Sequence, residues 1–139
     1  MGENQKRHLD YDAALPGEPL ASFEYVLTQD QLDRYRESVD DPRAQFPTIA
    51  VKHDGTALDL TFSSRQGSVN ARQEAEFFNP PVPGKKIFVT ARISDKYIRR
   101  EKPYIVCEAE AKDEDGRLIE RIRVAEMFKP EEVGKKWGT

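Results

Sequence analysis

The sequence predicts an α+β domain in which a curved antiparallel sheet of about five strands wraps around a central helix. Four extended segments lie between Val69 and Phe128, separated by sharp turn signals. They are about ten to fourteen residues long, well above the usual strand length, and a sheet of such strands must curl around something. Three consecutive segments alternate apolar and polar residues, which is typical of antiparallel strands. A helical pattern precedes them between residues 28 and 39.

The composition is that of one soluble domain. The chain has 139 residues, of which 37% are hydrophobic and 34% charged, so the apolar material suffices for one core. A net charge of −3 gives no general reason to expect nucleic-acid binding. Cys107 is the only cysteine, so no intramolecular disulfide can form and we expect a cytoplasmic location. No apolar run approaches the roughly 18 residues of a membrane span, and the N-terminus lacks the apolar core of a signal peptide.

The pattern along the chain divides it into three parts. Residues 1–20 form a polar arm, which we expect to be loose because Pro16-Gly17 and Pro19 interrupt any regular structure. Residues 21–130 form a single domain. Residues 131–139 form a C-terminal tail, which we expect to be mobile.

A short strand and a helix open the domain. Phe23 and Tyr25 alternate with polar residues over 22–27, which predicts the strand. Thr28 and Gln31 fit a capping box at the start of the helix. The residues at helical spacing on one face are Leu32, Tyr35 and Val39. Pro42 ends the helix, because the residue before a proline avoids the helical conformation.

A second helix is predicted over residues 56–60, with His53, Asp54 or Gly55 near its start. The long strands follow, and Pro80–Gly84 makes a rigid turn between the first two. Asp115-Gly116 supplies positive φ to a later hairpin. The residues that alternation places towards the core are Val69, Ala71, Ala75, Phe77, Ile87, Val89, Ala91, Ile93, Ile105, Cys107, Ala109, Ala111, Leu118, Ile122, Val124 and Phe128.

The run EAEFFNPPVPGKKIFVTARISDKYIRREKPYIVCEAEAKDEDGRLIERIR resembles the MaoC-like dehydratase and (R)-specific enoyl-CoA hydratase family, which has the hotdog fold. The family has an F-x-x-P-x-x-x-G-x-x-I/L turn before strands that end in D-x-D-G. The matching residues are Phe77, Pro80, Gly84, Ile87, Asp113, Asp115 and Gly116. Upstream, YVLTQDQLDRYRESV is similar to the first strand and helix of the family. The resemblance implies a hotdog fold over residues 20–128.

The resemblance also implies an activity, the hydration of enoyl-CoA thioesters or the reverse dehydration. Catalytic members carry Asp-x-Asn-Pro-x-His after the first helix, and its aspartate and histidine act as an acid/base pair. Placing Asp41-Pro42 on the Asn-Pro of this motif puts Val39 and Ala44 at the two catalytic positions. Neither side chain can transfer a proton. The family includes paired halves of which one has lost the dyad, so we expect a non-catalytic half that shapes the acyl pocket beside a dyad-bearing partner.

Two other functions remain open. The chain could form a self-sufficient homodimeric thioesterase or dehydratase, or a non-enzymatic module that binds acyl-CoA. The candidate catalytic residues are Asp40, Asp41 and His53, and a thioesterase could use Asp54 or Asp59. Each candidate also has a structural interpretation: the aspartates would end the helix, and His53 would bond to the backbone near a helix start. Dimerisation, with itself or with a second hotdog subunit, is expected in all cases because an isolated hotdog leaves a long strand edge open.

Five basic residues are candidates for contacts with the phosphates of coenzyme A, because lysine and arginine side chains suit phosphate groups. They are Lys85, Lys86, Arg99, Arg100 and Lys102. Their other interpretation is that of solvated charges at strand ends, which discourage aggregation between sheets. We expect coenzyme A only as part of the substrate and no bound cofactor. With two histidines and one cysteine, a zinc-type metal site is not expected.

Overall fold

The computed structural model describes residues 6, 8–9, 11–47, 52–62 and 68–128. They form a five-stranded antiparallel sheet in the order β1-β3-β4-β5-β2, with one helix packed against β3, β4 and β5. The elements are β1 (Phe23–Val26), α1 (Gln29–Ser38), α2 (His53–Thr61), β2 (Val69–Phe77), β3 (Lys86–Arg99), β4 (Lys102–Asp113) and β5 (Leu118–Met127). The predicted α+β architecture, a sheet around a central helix, is confirmed. In the described part of the chain, no helix has the length and apolar character needed to cross a membrane.

Helix α1 begins with the predicted capping box. The Thr28 hydroxyl accepts from the Gln31 amide at 3.1 Å, and the Thr28 amide donates to the Gln31 side chain at 3.0 Å. Leu32 is buried, whereas Val39 is 46% exposed. The prediction that Val39 shares the packed face is wrong, because it is the C-cap residue and lies beyond the last helical turn.

Helix α2 is the central helix, and it starts at His53, three residues before the predicted start. Its buried residues are His53, Asp54, Ala57 and Leu58. Thr61 fixes the other end, because its hydroxyl donates to the Ala57 carbonyl and accepts from the Ala21 amide just before β1.

The core lies between α2 and the inner face of β3, β4 and β5. The predicted inward positions of β3 and β4, from Ile87 to Ala111, are all buried. On β5 the pairing with β4 shifts between Ala111 and Lys112. Glu120 keeps the inward direction of Ile122, and Ile119 is buried beside it. Leu118 lies beyond the shift and is half-buried, so the prediction that it faces the core is wrong.

Strand β2 is the edge of the sheet and is largely uncovered. Val69 is 55% exposed and Phe77 45%, and only Ala75 packs against the core. The sequence predicted that Val69, Ala71, Ala75 and Phe77 face the core. For Val69, Ala71 and Phe77 this is wrong, because the register with β5 shifts between Asn70 and Arg72 and α2 packs on β3, β4 and β5. The inner face of β2 therefore remains open to a ligand or a partner.

The described part of the N-terminal arm is packed rather than loose. Leu9, Ala14 and Leu20 are buried in the core. The backbones of residues 17–20 hydrogen-bond to Ala91 and Ile93, so the arm continues the sheet along β3 beyond the end of β1. The tail over residues 131–139 lies outside the described residues.

Gly116 in the β4–β5 hairpin has φ of 82°, as predicted, and it alone supplies positive φ there, since Asp115 does not. We expect Gly116→Ala to lower the free energy of unfolding by about 1 kcal/mol, because an L side chain disfavours the left-handed conformation. A Cβ at this site would meet no atom within 4 Å, so backbone strain alone acts. Urea unfolding measures the loss. Gly116→Asn is the matched control, since asparagine tolerates this conformation, and an equal loss in both variants would contradict the explanation.

Candidate functional site

Three polar side chains from three elements meet inside the domain. Tyr25 lies on β1, His53 is the first residue of α2 and Glu120 lies on β5. His53 Nδ1 is 2.7 Å from Glu120 Oε1, and His53 Nε2 is 2.8 Å from the Tyr25 hydroxyl. His53 is 1% exposed and Glu120 is fully buried. We call these three residues the buried polar network.

Local structure places each member. Tyr25 faces inward because alternation along β1 turns Phe23 and Tyr25 towards the core. On β5, Glu120 shares the inward face of Ile122 and Val124 and lies opposite the buried Ala111 of β4. The first turn of α2 then brings the His53 ring between them, with its ring edge-on to Phe23 at 6.2 Å between centroids.

His53 and Glu120 approach closely without a hydrogen bond. The 2.7 Å between Nδ1 and Oε1 is an ion-pair distance for a protonated imidazole, while the ring N–H is not aligned on the carboxylate oxygen and neither Glu120 oxygen has a hydrogen bond from a described residue. A buried carboxylate requires a positive charge or donors nearby. Among the described residues, the His53 ring is the group that lies beside the Glu120 carboxylate, at 2.7 Å.

The Tyr25 hydroxyl retains its proton over a wide pH range. Burial raises the pKa of Tyr25 most, and the negative charge of Glu120 raises it further. A hydroxyl that keeps its proton can donate or accept a hydrogen bond but is not available as a phenolate base. Within the buried polar network, His53 and Glu120 are thus closed to a ligand, and the half-buried Tyr25 offers a neutral hydroxyl.

An apolar surface lies beside the network on the edge of the sheet. Phe77 is the cross-strand neighbour of Glu120, and its ring contacts that of Phe46 at 4.6 Å between centroids. Phe77 is 45% exposed, and the next residue, Phe78, is 42% exposed under the Arg121 guanidinium. These aromatic rings can bind an acyl chain or a second subunit.

The structure separates the candidate aspartates from His53. Asp40 follows α1 with φ of 52° and is exposed. Asp41 is exposed and accepts from the Arg43 amide at 2.9 Å. Neither has a hydrogen bond or an ion pair with His53 among the described contacts. Asp54, in the first turn of α2, is buried. Asp59, near the end of the same helix, is exposed.

The five basic candidates form two clusters, not one. Lys85 forms an ion pair with Asp115, and Lys86 lies 3.4 Å from Glu24. The second cluster is at the other end of β3, at the turn into β4. It consists of Arg99, Arg100 and Lys102, all exposed. A strand of this length separates the clusters by roughly 40 Å, so one phosphate group cannot contact both in one chain.

A groove of about 1170 Å³ lies on the outer face of the sheet, away from the buried polar network. Its walls carry paired charges: Glu108 lies 3.0 Å from Arg92 and 3.2 Å from Arg123, and Arg121 lies 2.9 Å from Glu110. Charges that neutralise one another across strands are typical of a solvated sheet face. We therefore assign the site to the inner face. No cluster of histidine, cysteine, aspartate or glutamate in the described ranges could hold a metal ion.

Sequence reasoning identified His53 but not its two partners. The inward direction of Tyr25 was visible in the alternation of β1, whereas its contact with a helix start was not. Glu120 lies between Leu118 and Ile122 on the face that alternation turns inward, whereas its contact with a helix start was not visible in the sequence.

No protein-family model matches this sequence, and no curated protein is significantly similar to it. Solved structures do share the fold. A MaoC-like dehydratase from Rhodospirillum rubrum has 14% identity and a TM-score of 0.66, over 86% of this chain and 96% of that chain. A thioesterase superfamily member from Thermus thermophilus has 23% identity and a TM-score of 0.61, over 86% and 88%. The HadBC (3R)-hydroxyacyl-ACP dehydratase complex from Mycobacterium tuberculosis has 14% identity and a TM-score of 0.62, over 89% and 98%.

These likenesses confirm the predicted hotdog fold, which the chain shares with MaoC-like dehydratases and (R)-hydratases. Identities this low show the fold and leave activity to be argued from the site.

We expect Glu120→Gln to lower the free energy of unfolding by about 2 kcal/mol, because it removes the charge that faces His53 in the core. Urea unfolding measures the loss. Glu110→Gln is the control, since Glu110 pairs with Arg121 on the outer face and such pairs contribute about 0–1 kcal/mol. Equal losses in both variants would contradict the claim that the buried pair stabilises the fold more than the exposed pair.

The raised pKa of Tyr25 predicts a stability change in alkali. The folded state holds this proton more tightly than the unfolded state, so its contribution is complete below the ordinary tyrosine pKa of about 10 and is lost as pH rises above it. We expect unfolding free energy to fall more steeply above this pH in the wild type than in Tyr25→Phe. Urea unfolding at a series of pH values tests this, and parallel curves would contradict it.

Proposed function

We propose that this chain is the non-catalytic subunit of a hotdog hydratase or dehydratase that acts on acyl-CoA thioesters. A second hotdog subunit would bear the aspartate and histidine dyad. The observation that carries this proposal is the absence of an accessible proton-transfer group at the aligned positions. Val39 and Ala44 occupy those positions, and His53 is buried behind its two partners.

A general acid or base must reach its substrate within hydrogen-bond distance. The two ring nitrogens of His53 face Glu120 and Tyr25, and the side chain is 1% exposed. We therefore assign His53 a structural role, which is to hold the start of α2 against the sheet. Proton transfer to the substrate would come from the partner subunit.

The open edge of the sheet supports the role of a pocket wall. Phe77 and Phe46 present aromatic surface next to the buried polar network, and an acyl chain would gain from covering it. The exposed backbone edge of β2 suits pairing with a second hotdog subunit. A two-subunit assembly has a parallel in the HadBC complex, which has the same fold. We propose a cytoplasmic location, since Cys107 is the only cysteine of the sequence and no intramolecular disulfide can form.

The proposal predicts that the purified chain alone does not hydrate crotonyl-CoA above the buffer rate. Mixed with a hotdog subunit that carries Asp-x-Asn-Pro-x-His, it should form a stable complex that does. Loss of the enoyl-thioester absorbance measures the rate. The control is the same complex with the histidine of the partner changed to asparagine, which should be inactive. Turnover by this chain alone would contradict the proposal.

A homodimeric thioesterase is the second candidate, because Asp54 is a buried carboxylate in the first turn of the central helix. The thioesterase superfamily neighbour at 23% identity has the same fold. This function requires that the chain alone hydrolyses acyl-CoA and that Asp54→Asn abolishes the rate, with Asp59→Asn as the exposed control. A non-enzymatic acyl-CoA module would instead bind the thioester in calorimetry without turnover by any combination of subunits.

A further inference from the structure

The hairpin between β3 and β4 projects beyond the rest of the sheet. The last β5 residue in the sheet, Met127, pairs with Tyr104, so the hairpin continues past it to a two-residue turn at Arg100 and Glu101. Arg99 and Lys102 are the last cross-strand pair before this turn. We call residues 97–104 the hairpin tip.

Positive charge predominates at the hairpin tip, where three basic residues outnumber the single acidic residue, Glu101. Arg99, Arg100 and Lys102 are exposed, and none has an ion pair or side-chain hydrogen bond with a described residue. The chain as a whole has a net charge of −3, and the basic side chains of Lys85 and Lys86 at the opposite end of β3 lie against Asp115 and Glu24. The tip is therefore a local site for an anion on an acidic protein.

The backbone of the turn that carries Arg100 is strained. Arg100 and Glu101 have φ of 51° and 65°, both in the left-handed region. Two-residue hairpin turns of this kind favour Asn-Gly, because side chains at both positions oppose the conformation. The sequence instead places an arginine at the apex. Strain of this sort concentrates at functional sites, which makes the tip a candidate for one.

A pair of aromatic rings lies next to the charges. Tyr97 and Tyr104 face each other across the strands, with 4.9 Å between ring centroids and 16° between ring planes. Both are half-buried. Residues two apart on a strand share a face, so these rings lie on the same face as Arg99 and Lys102. Flat aromatic surface beside free cations is the combination that recognises a nucleobase attached to phosphates.

We propose that the hairpin tip binds a nucleoside polyphosphate. The base stacks on the Tyr97 and Tyr104 rings, while Arg99, Arg100 and Lys102 contact the phosphates. Two sources share this chemistry, the nucleotide end of a coenzyme A thioester and a free nucleotide such as ADP. The site does not depend on the proposed function of the subunit.

The hairpin tip is too far from the buried polar network for a bound nucleotide to contact both. Ala111, the β4 neighbour of Glu120, lies nine residues along the strand from Lys102, a distance of roughly 30 Å. A nucleotide at the tip is thus far from the buried polar network of the same chain. If the nucleotide belongs to coenzyme A, its acyl end lies in a pocket to which a second subunit contributes.

Calorimetry on the full chain tests the site with three probes: coenzyme A, ADP and inorganic pyrophosphate. We expect both nucleotides to bind more tightly than pyrophosphate. The triple variant Arg99→Gln/Arg100→Gln/Lys102→Gln should weaken nucleotide binding at least tenfold. The matched control Lys85→Gln/Lys86→Gln removes two cations from the other cluster and should leave nucleotide binding unchanged. Tighter binding of coenzyme A than of ADP would identify the thioester as the source, and equal binding would identify a free nucleotide.

Stacking is tested separately from charge. Tyr97→Leu/Tyr104→Leu should weaken nucleotide binding several-fold and leave pyrophosphate binding unchanged, with circular dichroism and urea unfolding to verify that each variant is folded. Absence of nucleotide binding, or binding that survives in the triple variant, would overturn the proposal. So would tyrosine variants that bind both kinds of probe like the wild type. An inactive complex with normal nucleotide binding would contradict only the proposed hydratase role.

Discussion

The contact between His53 and Glu120 is the constraint on which the rest of the structure depends. A carboxylate with no exposed surface requires a positive charge or donors close by, and removal of one partner leaves a group that water cannot reach. The contact therefore fixes the start of the central helix against β5, and the hydroxyl of Tyr25 ties the same imidazole to β1. Helix and sheet could otherwise slide, since apolar packing is less directional than this network.

The same constraint bears on function. A histidine that holds a helix start in the core is not available to a substrate, and the aligned dyad positions, Val39 and Ala44, carry no proton-transfer group. What the chain presents outwards is an uncovered edge strand with aromatic rings beside it, and a distant hairpin with free cations. Both features support the proposal of a subunit that forms the wall of a pocket while a partner supplies the proton-transfer groups.

Much of the fold was predictable because alternation and capping are local. The inward positions of β3 and β4, the capping box at Thr28 and the left-handed Gly116 follow from neighbouring residues alone. The errors arise where contacts between distant elements determine which residues are buried. The register shift that turns Leu118 away from the core depends on how β5 meets β4, and the exposure of Phe77 depends on which strands α2 covers. The candidate site depends on how α2, β1 and β5 come together, so the sequence indicated His53 and could not indicate that Tyr25 and Glu120 meet it.

Amide hydrogen exchange on the central helix tests the structural role of the buried polar network most directly. If the network holds the helix start, the amides of Ala57 and Leu58, which are the first that can hydrogen-bond back to the opening turn of α2, exchange slowly in the wild type. In Glu120→Gln they should exchange at least tenfold faster, while the amides of β3 and β4 change much less. Equal acceleration throughout the domain would reflect a general loss of stability. Unchanged protection at the helix start would contradict the account outright.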